Sequence, residues 1–427
     1  MAILATPLLY LTSKEIDKLL ARCSMNNCKY VEPFEEAFSL KTVNEEADRC
    51  LLCLDAPCSA DCPAGTDPAK FIRSVRFLNY EGAAETIREN NPLGAICARV
   101  CPTERYCQKG CSRSGIDRPI DIGKIQQFVT DYEAAKGMAI LEKGKPNGKK
   151  VAIVGAGPAG LTTAAMLLQK GYGVELFEAN KEAGGYLRYG IPEYRLPNGV
   201  VDHEIKRIED LGAIIHVNSK VDQKKLNELK TRFDAVVLSL GASRGKVLPL
   251  FDGNKSVVTA VDFLAKVKSA KGDVQVPDNV LVIGGGDVAM DTVTTLKLLG
   301  VKQVSDVVYE TFEEFKASKK ELQGAQKLGV SILDGYVPTK VDGKTVYFKH
   351  RYKESELSVK ADLVILAVGQ YTDLADIKDI TLVKGEGKDQ GKVFVAGDIA
   401  PGEKTVVYAV RSGKEVANKI AAYLEGK

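Results

Sequence analysis

Cysteine is missing from everything that follows Cys111, although ten cysteines lie between Cys23 and that residue, both included. So lopsided a distribution excludes a disulfide scaffold running through the fold, and the chain is too long to be a small secreted one. Positive charge is not concentrated either. The formal net charge is +3, with Lys and Arg spread along the chain, which argues against nucleic acid as a main partner. No basic residue precedes the apolar run 2–12, and Pro7 interrupts it, so a secretory leader is not expected. The uncharged stretch 151–168 approaches the length of a membrane span, but four helix-disfavouring residues, Gly155, Gly157, Pro158 and Gly160, punctuate it. No transmembrane segment is expected, and a reducing, cytoplasmic compartment is. Histidine occurs only three times, at His203, His216 and His350, and never inside a motif described below.

What is present is ordinary in bulk and specific in detail. At 427 residues, 45% hydrophobic and 27% charged, the chain calls for two or three globular domains. A helical pattern at 68–76 places Phe71, Ile72 and Val75 on one face among the cysteine-rich loops. The polar stretch 142–150, EKGKPNGKK, reads as a domain linker. Beyond it the texture changes to apolar strands alternating with helices, which implies parallel sheets covered on both faces.

The cysteines fall into two close groups. The first reads CLLCLDAPCSADCP, with Cys50, Cys53, Cys58 and Cys62; the second reads CARVCPTERYCQKGC, with Cys97, Cys101, Cys107 and Cys111. Thiolates spaced in this way can wrap an iron–sulfur cubane, with a distant cysteine closing each one. The Cys-Pro endings at Cys62 and Cys101 echo ferredoxin runs, in which the last cysteine often serves the other cluster. Structural zinc is the competing reading, because it too accepts four cysteines. Cys23, Cys28 and Cys97 are left unassigned.

Two glycine-rich turns follow two strands. VAIVGAGPAG sets Gly155, Gly157 and Gly160 at G-x-G-x-x-G spacing before a helix, with Glu178 at the end of the next strand, VELFE. Such a turn brings backbone N–H groups against a pyrophosphate, and the acid meets ribose hydroxyls. VFVAGDI, 393–399, ends in Gly397 and Asp398, where the carboxylate can serve the ribityl or phosphate part of a flavin. A second unit, VLVIGGGDVAMD, gives Gly284, Gly286 and Ala289, and the strand read at 306–310 ends in Glu310. An acid at that place suits the free 2′-hydroxyl of NAD and repels the 2′-phosphate of NADP.

The stretches AAETIRENNPLGAICARVCPTE, PIDIGKIQQFVTD, IGGGDVAMD, ILAVGQ and GDIAPGEKTVVYAV carry a resemblance over nearly the whole chain. The sequence resembles the flavoprotein subunits of bacterial NAD-dependent dihydropyrimidine dehydrogenases. It is also similar to the N-terminal half of the eukaryotic enzyme and, more distantly, to the small subunit of glutamate synthase. The resemblance implies an α/β architecture: a helical domain, 1–148, binding two 4Fe–4S clusters, then an FAD domain, 149–243 and 371–427, split by an inserted NAD(H) domain, 244–370. It implies one cluster on Cys50, Cys53, Cys58 and Cys111 and another on Cys62, Cys101, Cys107 and, unusually, Gln126. Flavin contacts are implied from Gly157, Pro158, Ala159, Gly160 and Leu161, from Glu178, Gly184, Gly185 and Tyr186, from Arg195, and from Gly397, Asp398, Lys404 and Thr405. Nicotinamide contacts are implied from Gly286, Asp287, Val288 and Ala289 and from Ala367, Val368 and Gly369.

The function so implied is electron input. NADH is oxidised through FAD, and electrons pass through the clusters to a partner subunit carrying FMN and iron–sulfur centres, which reversibly reduces uracil or thymine to the 5,6-dihydro base. Cofactor chemistry of this kind needs positioning more than acid–base residues, in keeping with the scarcity of histidine. A glutamate synthase small subunit or a ferredoxin:NAD(P) oxidoreductase stands as the redox alternative, and a zinc-stabilised nucleotide-binding module without turnover as the non-enzymatic one. A thioredoxin reductase is excluded by the lack of a Cys-x-x-Cys in the nicotinamide domain.

Overall fold

The structure is a computed structural model that describes residues 28–34, 36–378, 380, 382–383 and 386–426. Cys23 lies outside the described residues. The cysteine-bearing region is built from short helices: α1 (Leu40–Asp48), α2 (Pro68–Arg76), α3 (Tyr80–Asn90), α4 (Gly94–Val100) and α5 (Ile122–Lys136). Helix α2 starts where Asp67 accepts the Lys70 N–H and Pro68 occupies the first turn, a position where a missing N–H does no harm. Its Phe71, Ile72 and Val75 are buried against Val43, Ile87, Ile125 and Val129, so the face expected from the sequence is the one that packs.

The stretch 142–149 has no helix or strand, yet it is tied down: Gly144 N–H donates to Leu168 and Asn147 N–H to Gly171. It lies on the following domain instead of hanging free. That domain is a five-stranded parallel sheet formed by β1 (Lys150–Val154), β2 (Gly173–Phe177), β3 (Ile214–His216), β4 (Ala235–Leu238) and, far along the chain, β13 (Val393–Val395), in the order β13-β4-β1-β2-β3. Helices α6 (Pro158–Gln169), α7 (Asn198–Asp210) and α11 (Val406–Glu425) pack around its first strands.

Between β4 and β13 the chain builds a second parallel sheet. Its strands are β5 (Val257–Thr259), β6 (Asn279–Ile283), β7 (Gln303–Val307), β8 (Ser331–Leu333) and β12 (Leu363–Leu366), in the order β5-β12-β6-β7-β8. Helices α8 (Ala260–Ser269), α9 (Asp287–Leu298) and α10 (Lys319–Lys327) cover it, and an antiparallel ribbon of β9 (Tyr336–Asp342), β10 (Thr345–His350) and β11 (Glu356–Lys360) precedes β12. β7 ends at Val307, so Glu310 stands beyond the strand and not at its last residue. The result is a helical domain followed by two Rossmann-like sheets, one inserted in the other. No helix of the described residues is long and apolar enough to cross a membrane, because 151–168 divides into β1 and α6.

A buried ionic group joins the first two domains. Arg88 of α3, fully excluded from solvent, donates to both oxygens of Glu133 on α5 at 3.0 and 2.8 Å and to both of Glu204 on α7 at 2.8 and 2.7 Å. Arg207 adds a second cation at Glu133, 2.5 Å away. Charges this deep persist only when matched and hydrogen-bonded, and removing one partner strands the others. The arrangement therefore sets how the cysteine domain sits on α7.

Candidate cofactor sites

At the end of β1 the backbone must turn inside a space that admits no side chain. Gly155 has φ +100°, and a Cβ there would lie 2.4 Å from the Ser239 carbonyl. A Cβ on Gly160 would lie 2.1 Å from the Gly155 carbonyl, so the helix approaches the strand as closely as the glycine spacing allows. Gly157 caps α6 without any side-chain hydrogen bond, leaving first-turn N–H groups available to an anion. Glu178, 5% exposed, accepts the Ala156 N–H at 2.9 Å and holds Asn180 through its other oxygen at 2.9 and 2.8 Å. Across from it stand Gly397, Asp398, Lys404 and Thr405. Burial raises the Asp398 carboxyl above its ordinary range, with Lys404 opposing.

The second turn repeats this plan on β6. A Cβ on Gly284 would stand 2.5 Å from the Ala367 carbonyl, whereas Gly286 faces open space and caps α9 without a side-chain bond. Ala289 is fully buried behind it. The Glu310 carboxylate folds over the turn, with one oxygen 2.9 Å from where a Gly285 Cβ would be, and Lys316 Nζ lies 2.8 Å from the other.

Both turns open into one continuous cavity of about 1710 Å³. That exceeds the roughly 300–1,000 Å³ of a pocket for one small ligand. Of the residues assigned from sequence, Gly155, Gly157, Pro158, Ala159, Glu178, Gly185 and Tyr186 line it on the flavin side, with Gly397, Asp398, Lys404 and Thr405. Gly284, Gly286, Asp287, Val288, Glu310, Ala367, Val368 and Gly369 line the other side. Gly160, Leu161, Gly184 and Ala289 are not in the wall; they support it from behind.

Arg195 departs from expectation. Its guanidinium pairs with Asp291 at 2.7 and 2.8 Å and with Glu321 at 3.2 Å, so it joins the flavin domain to α9 and α10 and does not line the cavity. Burial next to two carboxylates is the reason: an Arg facing the cavity would leave Asp291 charged and alone. The structure adds Arg105, Ser239, Lys246, Tyr309, Gln370 and Glu403 to the wall. Gln370 and Glu403 stand inside the stretches that carry the resemblance; nothing in the spacing singles out the rest. Gln370 Nε2 reaches the Tyr186 hydroxyl at 3.3 Å, bridging the two lobes. No histidine is in the wall.

The described cysteines from Cys50 onward are free thiols. Cys50, Cys53, Cys58 and Cys111 ring a small pocket walled by Ile72, Ile120 and Ile122. Burial, then the neighbouring Cys111 and Cys50, pushes the Cys58 thiol up to about 11. Cys62, Cys101 and Cys107 form a second set, in which burial and then the adjacent thiols raise Cys101 and Cys107. Cys97 is buried beside Cys62. Gln126 on α5 is buried, and its Nε2 donates to the Gly94 carbonyl at 2.7 Å.

Thiolates are the ligands that iron–sulfur clusters take, and both sets supply them. A tetrahedral zinc holds sulfurs about 2.3 Å from one point, and among the described residues no three His, Cys, Asp or Glu side chains converge on such a point. A cubane spreads its ligands over four corners. The second set is linked to the cavity wall through one residue: Tyr106, beside Cys107, donates its hydroxyl to the wall residue Glu403 at 2.6 Å and packs its ring 5.9 Å from that of Tyr408.

Residues 27–138 match the family described as dihydropyrimidine dehydrogenase domain II, 4Fe-4S cluster, and residues 149–413 match the pyridine nucleotide-disulphide oxidoreductases. Over 404 residues the chain is 51% identical to the NAD-dependent dihydropyrimidine dehydrogenase subunit PreT of Escherichia coli strain K12, covering 93% of this chain and 98% of that one. The chain belongs to this family. It is an oxidoreductase that joins a 4Fe–4S domain to a pyridine-nucleotide domain, as the sequence reading expected. A glutamate synthase [NADPH] small chain from Azospirillum brasilense is more distant, at 30% identity over 91% of each chain. Among solved structures, FprA from Mycobacterium tuberculosis aligns with a TM-score of 0.56 at 17% identity, over 66% of this chain and 85% of that one. A 2-naphthoyl-CoA reductase aligns with a TM-score of 0.55 at 19% identity, over 82% and 52%. At such identities the likeness concerns fold alone.

Proposed function

We propose that this chain is the electron-input subunit of an NAD-dependent dihydropyrimidine dehydrogenase, oxidising NADH and delivering electrons to a partner subunit with FMN and iron–sulfur centres that reduces uracil or thymine. The observation that carries it is the single cavity onto which both glycine turns open, with Tyr106 tying the second cysteine set to its wall. The flavin-side wall, with Gly155, Gly157, Glu178, Asp398 and Thr405, would hold FAD, which would supply the exchange between two-electron hydride chemistry and one-electron transfer to 4Fe–4S clusters.

The chain's own residues bind and orient. The starts of α6 and α9 present N–H groups to the two pyrophosphates. Glu310, folded over its turn, suits a free ribose 2′-hydroxyl and repels a 2′-phosphate, which supports NADH. Tyr186 and Gln370 span the flavin and nicotinamide lobes, and both face the cavity in which the two cofactors would be held. Cys50, Cys53, Cys58 and Cys111 would hold one cluster, and Cys62, Cys101, Cys107 and Gln126 the other. The flavin domain takes in 149–243 and 371–427 and the nicotinamide domain 244–370. A reducing cytoplasm is the compartment that keeps such cysteines available as ligands.

Co-expression with an FMN and iron–sulfur partner and anaerobic assay tests the reading. NADH-dependent loss of uracil is the expected result. Formation of glutamate from glutamine and 2-oxoglutarate, driven by NADPH, would instead favour a glutamate synthase small subunit. A protein holding zinc and no acid-labile sulfide would end the proposal.

A further inference from the structure

Helix α11 begins at the cavity wall, where Thr405, Val406 and Ala409 line it, and then crosses α6 at very short range. Gly413 makes the crossing possible: a Cβ there would lie 2.7 Å from the Ala159 carbonyl, and its own carbonyl accepts from Thr163 Oγ1 at 3.3 Å. The next residue, Lys414, reaches out of the flavin domain. Its ammonium donates to the carbonyls of Ala64 and Asn90, both at 2.6 Å, deep in the cysteine domain. Ala64 follows Cys62 by two positions, and the half-buried Lys414 ammonium interacts electrostatically with Cys62. Both of its acceptors are neutral, and among the described residues no carboxylate pairs with it, so its positive charge is left uncompensated beside the second cysteine set.

We propose that Lys414 is a positioning residue that raises the potential of the cluster held by Cys62, Cys101 and Cys107; this rests on the cluster reading above. One-electron reduction adds a negative charge to the cluster. A cation held beside that cysteine set, in a medium of lower dielectric than water, stabilises the reduced form and raises its potential. The same helix carries the flavin wall at its start and the cation one residue past its crossing with α6. One rigid element therefore fixes both the donor site and the charge that attracts the electron.

The test is an EPR-monitored redox titration of the anaerobically purified protein, comparing Lys414→Gln and Lys414→Arg with the unaltered chain. Gln keeps a donor for the two carbonyls but removes the charge; Arg keeps the charge. The Gln variant is expected to shift the electron-partition equilibrium of one cluster about tenfold toward the oxidised form, a lowering of about 59 mV for a one-electron couple. The Arg variant is expected to stay close to the unaltered chain. Equal potentials in the Gln variant and the unaltered chain would overturn the proposal. Should Gln alone lose iron, the charge itself is needed to hold the cluster and the proposal stands; should both variants lose it, Lys414 is only a structural tie and the proposal falls. Absence of acid-labile sulfide from the unaltered chain would be a failure of the cluster reading, which is a separate result.

Discussion

The two dinucleotide turns have the same outline and different tolerances. In the flavin turn the third position is Gly160, pressed to 2.1 Å of a backbone oxygen if it bore a methyl; in the nicotinamide turn the same position is Ala289, whose methyl is fully buried. The acids differ too. Glu178 spends one oxygen on the Ala156 N–H and the other on Asn180, so it is part of the turn, whereas Glu310, among the described residues, has only the exposed Lys316 as an ion-pair partner. A site for a resident cofactor is braced by its own acid and packed to the limit. A site for a substrate that must come and go keeps its acid loosely held. The lesson is that identical spacing does not mean identical constraint.

Several substitutions can break or sharpen this contrast. The largest effect is expected from Gly160→Ala: with no flexible neighbour to yield, overpacking at the backbone should destabilise by about 3 kcal/mol or more and release FAD, measured as lost flavin absorbance. Retention of FAD with unchanged stability would erase the distinction between the turns.

Next comes the tie between the lobes. Lys268 of α8, 2% exposed, donates to the carbonyls of Leu187 and Leu196 at 2.9 and 3.0 Å. Burial lowers its amine from 10.5 to about 8, with Glu193 opposing. Between those two values the unfolded chain binds more protons than the folded one, so this group makes stability rise with pH across the window. The gain relative to Lys268→Met should reach roughly 2–3 kcal/mol by pH 10.5 and be absent below about pH 8, as read by denaturant unfolding at several pH values. A flat difference would remove Lys268 as the titrating group.

A smaller change is expected from Glu310→Arg. Freed from its carboxylate, Lys316 joins the new guanidinium, and the preference for NADH over NADPH should fall about thirtyfold, or about 2 kcal/mol, in kcat/KM for a dye acceptor. The smallest is Ala289→Gly, which should cost about 1 kcal/mol of helix stability and leave FAD in place. A loss of flavin there would mean the two turns are coupled.

Much of this was legible in advance. The strands β1, β2 and β6, the helix α2 and both glycine turns follow from local periodicity and from steric limits that act within a few residues. The cysteine groups were equally plain. The fate of Arg195 was not, because its partners Asp291 and Glu321 come from another domain. Nor was Arg105, which enters the cavity wall from within the second cysteine group, where the spacing singles out only the cysteines.

By itself the sequence determined which segments would be strands, where the glycine turns would lie and how the cysteines would group, since each depends on neighbours along the chain. Only the tertiary structure decided what lies between those parts: Arg88 against Glu204, Tyr106 against Glu403 and Lys414 against Ala64. Those contacts join residues 116, 297 and 350 positions apart. At such separations local spacing carries no information. Burial decides them, because a charge or hydroxyl taken out of water must find whatever partner the packed domains bring to it.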